Sequence, residues 1–110
     1  MEEISFNYRG KEISLQVKRV GFFGEAWGLM FSRRKNARAL LFSFEKPTNL
    51  RIHSLFVFFP FIAIWLDEKN KVIGTKKIKS FIPSVSSPGK FVKIVEIPIN
   101  KKYSSVVRKI

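Results

Sequence analysis

Residues 51–74 read RIHSLFVFFPFIAIWLDEKNKVIG, and this stretch decides the fold. Its apolar run extends from residue 52 to residue 66 and is interrupted only by one histidine, one serine and Pro60. β-branched and aromatic side chains dominate the run, and such residues suit a pleated, half-buried surface. The sequence therefore predicts two core strands that break at Pro60, a turn over residues 68–70 and another strand after the turn.

The same run is too short to cross a membrane as a helix. A span needs about 20 apolar residues, whereas this run has 15 and contains a proline and a histidine. The first residues, Met-Glu-Glu-Ile-Ser, lack the basic start and apolar run of a secretory signal. We therefore expect a soluble protein with no membrane span and a cytoplasmic location.

Alternating apolar and polar residues predict further strands on both sides of this stretch. Residues 3–8 and 13–18 alternate around the turn Arg9-Gly10-Lys11 and are typical of a hairpin. Residues 91–97 carry apolar side chains at both odd and even positions, which indicates a strand buried on both faces. The other predicted strands are 37–44, 50–58, 61–66 and 71–78, with a turn over 45–49, a loop over 80–89 and Ile62 in the core.

One short helix is predicted near residues 22–31, because Phe23, Ala26, Trp27 and Met30 recur at helical spacing. The complete pattern favours a mainly β fold, a small antiparallel sandwich or barrel of about seven strands with that one helix. A chain of 110 residues fits a single domain, 1–110. Residues 99–110 fit either a short helix or a last edge strand.

Positive charge is the strongest compositional feature. The chain has 21 Lys and Arg against 8 Asp and Glu, a net charge of +13. Residues 69–110 hold 11 of the basic residues and one acid, Glu96. Such an excess attracts polyanions without specifying one. The lysine-rich, cysteine-free composition also favours a thermophilic source.

Two groups of residues are candidates for binding. The first is a ligand site near the apolar run and the basic loop: His53, Ser54, Arg33, Arg34 and Arg38. An imidazole can act as a base or hold an anion, and arginine suits bidentate anion contacts. The alternatives are a histidine bonded to the backbone or to Ser54 at the core edge, and a solvated loop with one arginine paired to Glu25 or Glu45.

The second group is a C-terminal basic shell with a predicted role in polyanion binding: Lys76, Lys77, Lys79, Lys90, Lys93, Lys101 and Lys102. Phe81, Phe91 and Tyr103 lie among these lysines. Basic residues interleaved with aromatic rings are typical of proteins that bind single-stranded nucleic acid. A core that uses phenylalanine throughout explains the same rings equally well.

The chain lacks the residues that several kinds of chemistry require. The chain has no cysteine and one histidine, so it offers no thiolate metal site, no disulfide and no histidine cluster. It contains neither GxxxxGK nor GxGxxG. We therefore predict no catalytic residue, no metal and no cofactor.

Four short motifs occur in order along the chain: GLMF at 28–31, LFSF at 41–44, WLD at 65–67 and VEIP at 95–98. Together they resemble the domain of unknown function 192 family, also called uncharacterised protein family 0127, over roughly residues 13–98. The resemblance implies a β-rich sandwich or barrel with one short helix, and it implies no catalytic residue. The chain departs from the family pattern after Pro60, where the family's aspartate is missing, and at Ser32, where the family has arginine.

Three functional hypotheses follow. The first is a non-enzymatic binding or structural module, favoured by the β-rich pattern and the lack of an assembled acid, base or metal set. The second is nucleic-acid or polyanion binding through the C-terminal basic shell. The third is a small-ligand or hydrolytic site around His53.

Overall fold

The computed structural model describes residues 2–20, 33–55 and 57–110. Its strands within these residues are β1 (Glu2–Tyr8), β2 (Lys11–Arg19), β3 (Leu40–Thr48), β4 (Phe61–Leu66), β5 (Val72–Ile78) and β6 (Phe91–Pro98). A 3-10 turn at Lys101–Tyr103 leads into the short helix α1 (Ser104–Val107). The tail is thus helical rather than an edge strand. The helix predicted near residues 22–31 lies outside the described residues.

The described strands form one curled sheet in the order β1-β2-β3-β6-β4-β5. The β2–β3 pair is parallel, with Lys18 opposite Leu40, and the other pairs are antiparallel. The two edge strands approach each other, since the hydroxyl of Tyr8 in β1 lies 3.4 Å from Oγ1 of Thr75 in β5. The sheet is therefore a half-barrel.

This architecture confirms the mainly β class and corrects its details. The predicted antiparallel sandwich or barrel of about seven strands is wrong in two respects. The described residues form six strands in a single sheet, and one strand pair is parallel. Residues 20–39 separate β2 from β3, which is long enough for the crossover that parallel strands require.

The predicted strand over residues 50–58 is also wrong. The described part of this stretch forms only an isolated bridge between Ile52 and Val85. Val57 in this stretch and Phe59 just after it are buried, and they pack on one face of the sheet instead of extending it. The predicted turn over 45–49 is wrong too, because β3 continues through Pro47 with a register shift after Ser43.

Both predicted tight turns are confirmed. Arg9 and Gly10 have φ angles of 52° and 77°, as the two-residue turn of a twisted hairpin requires. The turn after β4 is held by Asp67, whose Oδ1 accepts hydrogen bonds from the backbone N–H groups of Lys69 and Lys71 at 2.8 and 2.9 Å. These bonds, above all the one from Lys71, lower the pKa of Asp67.

The core lies on both faces of the sheet. Every residue of β4 is buried, and β6 is buried except for half-buried Lys93, as predicted for a central strand. Ile62, Ile64 and Leu66 pack on the inner face with β1, β2 and Tyr103. The alternate β4 residues pack on the outer face against the loops that hold Phe59 and Ile82. The predicted core position of Ile62 is confirmed.

Replacing Gly74 by alanine is expected to lower the free energy of unfolding by about 1–3 kcal/mol, because the added methyl overpacks the site. A Cβ at Gly74 in β5 would lie 2.4 Å from Cγ of Pro88, a rigid ring. Gly89→Ala is the matched control, since its Cβ would meet Ile73 at an ordinary 3.5 Å. Urea denaturation of both variants tests this. Equal midpoints would show that Pro88 can shift away from the added methyl without loss of stability.

Candidate functional site

A basic cleft lies between the loop that precedes β3 and the chain's last turn and helix. We define the basic cleft by its lining: Arg34, Lys35, Ile99, Asn100, Lys101, Ser104, Val107 and Arg108. Its volume is about 810 Å³. Ile99 and Val107 supply its apolar surface, and four cations surround them. Its lining contains no acidic side chain, so the potentials of the four cations add.

Hydrogen bonds hold the two sides of the cleft together. The Asn100 side-chain amide donates to the carbonyl oxygens of Arg34 at 2.8 Å and of Ala37 at 3.2 Å. The Nε of Arg34 donates in return to the carbonyl oxygen of Ile99 at 2.7 Å. The buried hydroxyl of Tyr103 accepts from the N–H of Ala39 at 2.8 Å. These bonds fix the relative position of the cations on each side.

All four cations of the cleft present charge to solvent. Lys35, Lys101 and Arg108 are exposed. The Arg34 side chain is oriented by its Nε bond to Ile99, which leaves the far edge of the guanidinium as a further donor face. The ion pair between Glu2 and Arg19, 2.7 Å long, lies on another surface and neutralises none of these groups.

The predicted ligand-binding residues are spread over two loops. Arg34 lines the basic cleft, and Arg33 is exposed beside it in the same loop. Arg38 lines a different groove with Glu2 and Arg19. His53 lies on the β3–β4 connection, exposed, and its Nδ1 accepts from the N–H of Leu55 at 3.2 Å.

Ser54 has a structural position. It is completely buried, and its Oγ donates to the carbonyl oxygen of Lys79 at 2.6 Å and accepts from the N–H of Ile82 at 2.7 Å. The hydroxyl therefore satisfies backbone groups of the β5–β6 loop. A buried hydroxyl with two such partners is occupied in holding the two loops together.

The lysines of the C-terminal basic shell do not share one face. Lys76 and Lys77 point to opposite sides of β5, because neighbouring strand residues alternate. Lys76 donates to the carbonyl oxygen of Ser86 at 2.5 Å and lies over the Trp65 ring, whereas Lys93 donates to Oδ1 of Asn70. Lys79, Lys90, Lys101 and Lys102 are exposed. Of the shell residues, Lys101 lines the basic cleft.

Sequence reasoning identified the individual cations but not their meeting point. Arg34 and Lys101 belonged to separate predicted groups, and the structure places both in one cleft. The residue that joins them, Asn100, was not singled out. Its only sequence signal is its place after Pro98, where a polar amide can cap the following turn, as its Oδ1 does for the N–H of Tyr103.

A buried acid lies away from the cleft. Glu96 in β6 stands opposite Leu40 and Ala63 on the outer face of the sheet and is 9% exposed. Burial raises its pKa from 4.5 to about 7. The cause is loss of hydration around the charged form.

The described residues lack two features that mark other classes of protein. No group of three or more histidine, cysteine, aspartate or glutamate side chains is placed to hold a metal ion in this part of the chain. None of its helices has the length and apolar character needed to cross a bilayer.

Comparison with known proteins shows the fold. No family model matches the sequence, and no curated protein is significantly similar to it. A crystal structure of a protein of unknown function from Novosphingobium aromaticivorans DSM 12444 is similar, with a TM-score of 0.72 and 13% identity, over 96% of this chain and 76% of that one. A protein from Sinorhizobium meliloti 1021, called a "putative transcription regulator", is similar with a TM-score of 0.75 and 14% identity, over 96% and 84%. At these identities the likeness concerns the fold alone.

Proposed function

We propose that this chain is a non-enzymatic, soluble domain that binds a polyanion, most naturally a nucleic acid, in the basic cleft. The observation that carries the proposal is the convergence of Arg34, Lys35, Lys101 and Arg108 on one cleft whose lining has no acid. Two of these residues come from each side, and Asn100 bonds the two sides together.

The chemistry of the cleft suits a phosphate backbone. Guanidinium groups hold phosphate oxygens with two parallel hydrogen bonds, and lysines add point charges. The apolar patch of Ile99 and Val107 can contact a sugar, which a simple inorganic anion does not offer. The overall charge of +13 raises the rate of encounter with any polyanion. The name of the Sinorhizobium protein, which refers to transcription, agrees with a nucleic-acid partner.

We also propose that the chain belongs to the domain of unknown function 192 family and works in the cytoplasm. The support for the family is the order of the motifs at 28–31, 41–44, 65–67 and 95–98. The mainly β fold agrees with what that resemblance implies.

Replacing Lys35 and Lys101 together by glutamine is expected to weaken binding to a random single strand about tenfold at about 50 mM salt. Each lost phosphate contact then accounts for about 0.7 kcal/mol, within the range for exposed ion pairs. Fluorescence anisotropy with a labelled strand and a labelled duplex, at about 50 and 200 mM salt, measures the affinities. The two lysines are exposed, so the fold should be unchanged.

The matched control is the double variant Lys46→Gln, Lys69→Gln. Both residues are exposed, and they lie at the opposite end of the sheet, near the end of β3 and in the turn after β4. This variant also loses two positive charges, so it separates the effect of the cleft lysines on affinity from the effect of net charge. If both double variants lose affinity equally, binding depends on total charge and the assignment to the cleft is wrong.

A further inference from the structure

Two exposed phenylalanine rings pack against each other beside the start of β4. Phe58 is 58% exposed and Phe81 is 53% exposed. Their centroids are 5.5 Å apart and their planes meet at 77°. We call Phe58 and Phe81 the ring pair. The other rings predicted to contact bases, Phe91 and Tyr103, are buried and are excluded from that role.

The protein holds the ring pair at the cost of backbone strain. Phe81 has a φ of 63°, a left-handed conformation that a bulky residue rarely adopts. It is kept there by Ser54, whose carbonyl oxygen accepts from the N–H of Phe81 at 2.9 Å and whose N–H donates to the carbonyl oxygen of Ile82 at 2.8 Å. Strain that the surroundings enforce is found at binding and catalytic sites more often than elsewhere.

The loops around the ring pair are basic. Residues 46–66 and 69–95 contain no aspartate or glutamate. Arg51, His53 and Lys79 lie on the two loops, and all three are exposed. Arg51 bonds across to Ser84, which adds to the contacts that Ile52 and Ser54 make between the same loops. An exposed aromatic pair within a basic surface complements an anion that carries flat, apolar rings.

The ring pair and the basic cleft border the same end of the sheet. Phe61 lies opposite both Ile78 and Pro98, so the loops before β4, after β5 and after β6 leave from one end. The N–H of Ile99, a cleft residue, donates to the carbonyl oxygen of Pro60 at 3.1 Å. Phe58 precedes Pro60 by two residues, about 7 Å of extended chain.

We propose that the ring pair is a stacking site for unpaired bases of a single-stranded nucleic acid whose phosphates occupy the basic cleft. This inference rests on the proposed function and makes the partner class more specific. Aromatic side chains stack on any base, because every base has a π face, and a basic groove follows the backbone. A duplex hides its base faces, so the ring pair adds nothing to duplex binding.

The test compares three labelled ligands of equal length by anisotropy: a 15-nucleotide oligo-dT, an abasic 15-mer with the same phosphates, and a 15-base-pair duplex. The wild type is expected to bind oligo-dT about tenfold or more tighter than the abasic strand, as loss of one stacking contact predicts. Phe81→Asn should remove that difference and leave abasic binding unchanged. Asparagine tolerates a positive φ, so the loop keeps its conformation. Phe81→Tyr retains a ring and should retain the preference for oligo-dT.

Equal affinity of the wild type for oligo-dT and the abasic strand would overturn the inference. If Lys35→Gln, Lys101→Gln still weakens both strands in that case, polyanion binding in the cleft survives and only stacking fails. A preference for oligo-dT that Phe81→Asn leaves intact would also overturn it. So would binding to anionic phospholipid vesicles that Phe81→Asn abolishes while oligo-dT binding is unchanged, because the ring pair would then serve a lipid surface.

Discussion

Replacing Ile64 by aspartate is expected to lower the free energy of unfolding by more than about 3 kcal/mol, enough to leave much of the protein unfolded. Ile64 has no exposed surface and lies on the inner face of β4, between Thr75 of β5 and Val95 of β6. An unpaired carboxylate there loses its hydration and gains no cation. Urea denaturation followed by tryptophan fluorescence measures the change.

Ile62→Asp is the informative companion to this variant. Ile62 is 6% exposed on the same face, and its neighbour across β5 is Lys77 rather than a threonine. A nearby ammonium partly compensates a carboxylate, so the loss should be smaller than at Ile64. A wild-type midpoint for Ile64→Asp would refute the placement of the inner core. A greater loss at Ile62 than at Ile64 would refute the compensation by Lys77.

Glu96→Gln is expected to change how stability depends on pH. The pKa of Glu96 is about 7 in the folded protein against an ordinary 4.5. Between these values the unfolded chain releases a proton that the folded protein retains, so stability falls as pH rises. The fall amounts to about 1.4 kcal/mol per pH unit, roughly 3 kcal/mol across the window, and it ends above pH 7.

The glutamine variant has no proton to lose and lacks this slope. It should match the wild type near pH 4.5 and exceed its free energy of unfolding by up to about 3 kcal/mol at pH 8. Glu45→Gln, a change at an exposed acid of β3, is the control and should keep the wild-type slope. Denaturation at pH 4.5, 6, 7 and 8 tests this. Parallel curves for Glu96→Gln and the wild type would mean that Glu96 has the same pKa in the folded protein as in the unfolded chain.

Other carboxyl groups do not obscure the result. Glu2 bonds to Arg19 and Asp67 bonds to backbone N–H groups, and both pKa values are lowered. Their contribution is present above their ordinary pKa values and is lost as pH falls below them, the opposite sign to Glu96. The difference between wild type and Glu96→Gln isolates the buried acid.

Local patterns predicted the elements whose structure is set locally. The run FIAIWL is both the predicted and the observed extent of β4, since it is apolar at every position and Pro60 marks its start. The first hairpin was predictable from its alternation and from Gly10, which tolerates the positive φ of the turn. The burial of β6 on both faces was predictable from its apolar residues at both odd and even positions.

The remaining features depend on contacts between distant residues. The parallel β2–β3 pair cannot be read from either strand alone, because nothing in a strand's own sequence states its neighbour. The stretch before Pro60 has the composition of a strand. It does not form one, because Ile52 and Ser54 bond to the β5–β6 loop, and its apolar side chains pack on the sheet instead.

The basic cleft illustrates the same limit. Arg34 and Asn100 are 66 residues apart and meet through one side-chain amide. Lys76 and Lys77 were assigned to one basic shell, but they face opposite sides of β5, because neighbouring residues of a strand alternate. Which lysines share a surface was settled only by the path of the chain after Pro98.

The salt dependence of single-strand binding is the measurement that tests the cleft most directly. The affinity of the wild type and of Lys35→Gln, Lys101→Gln for oligo-dT is measured at several salt concentrations, and log K is plotted against log salt. Each phosphate contact contributes about 0.7 to the slope for a single strand. We expect the variant's slope to be shallower by about 1.4, since two contacts are lost. Phosphate binding in the basic cleft would be contradicted if Lys35→Gln, Lys101→Gln had the same slope as the wild type while the control, Lys46→Gln, Lys69→Gln, had a shallower one.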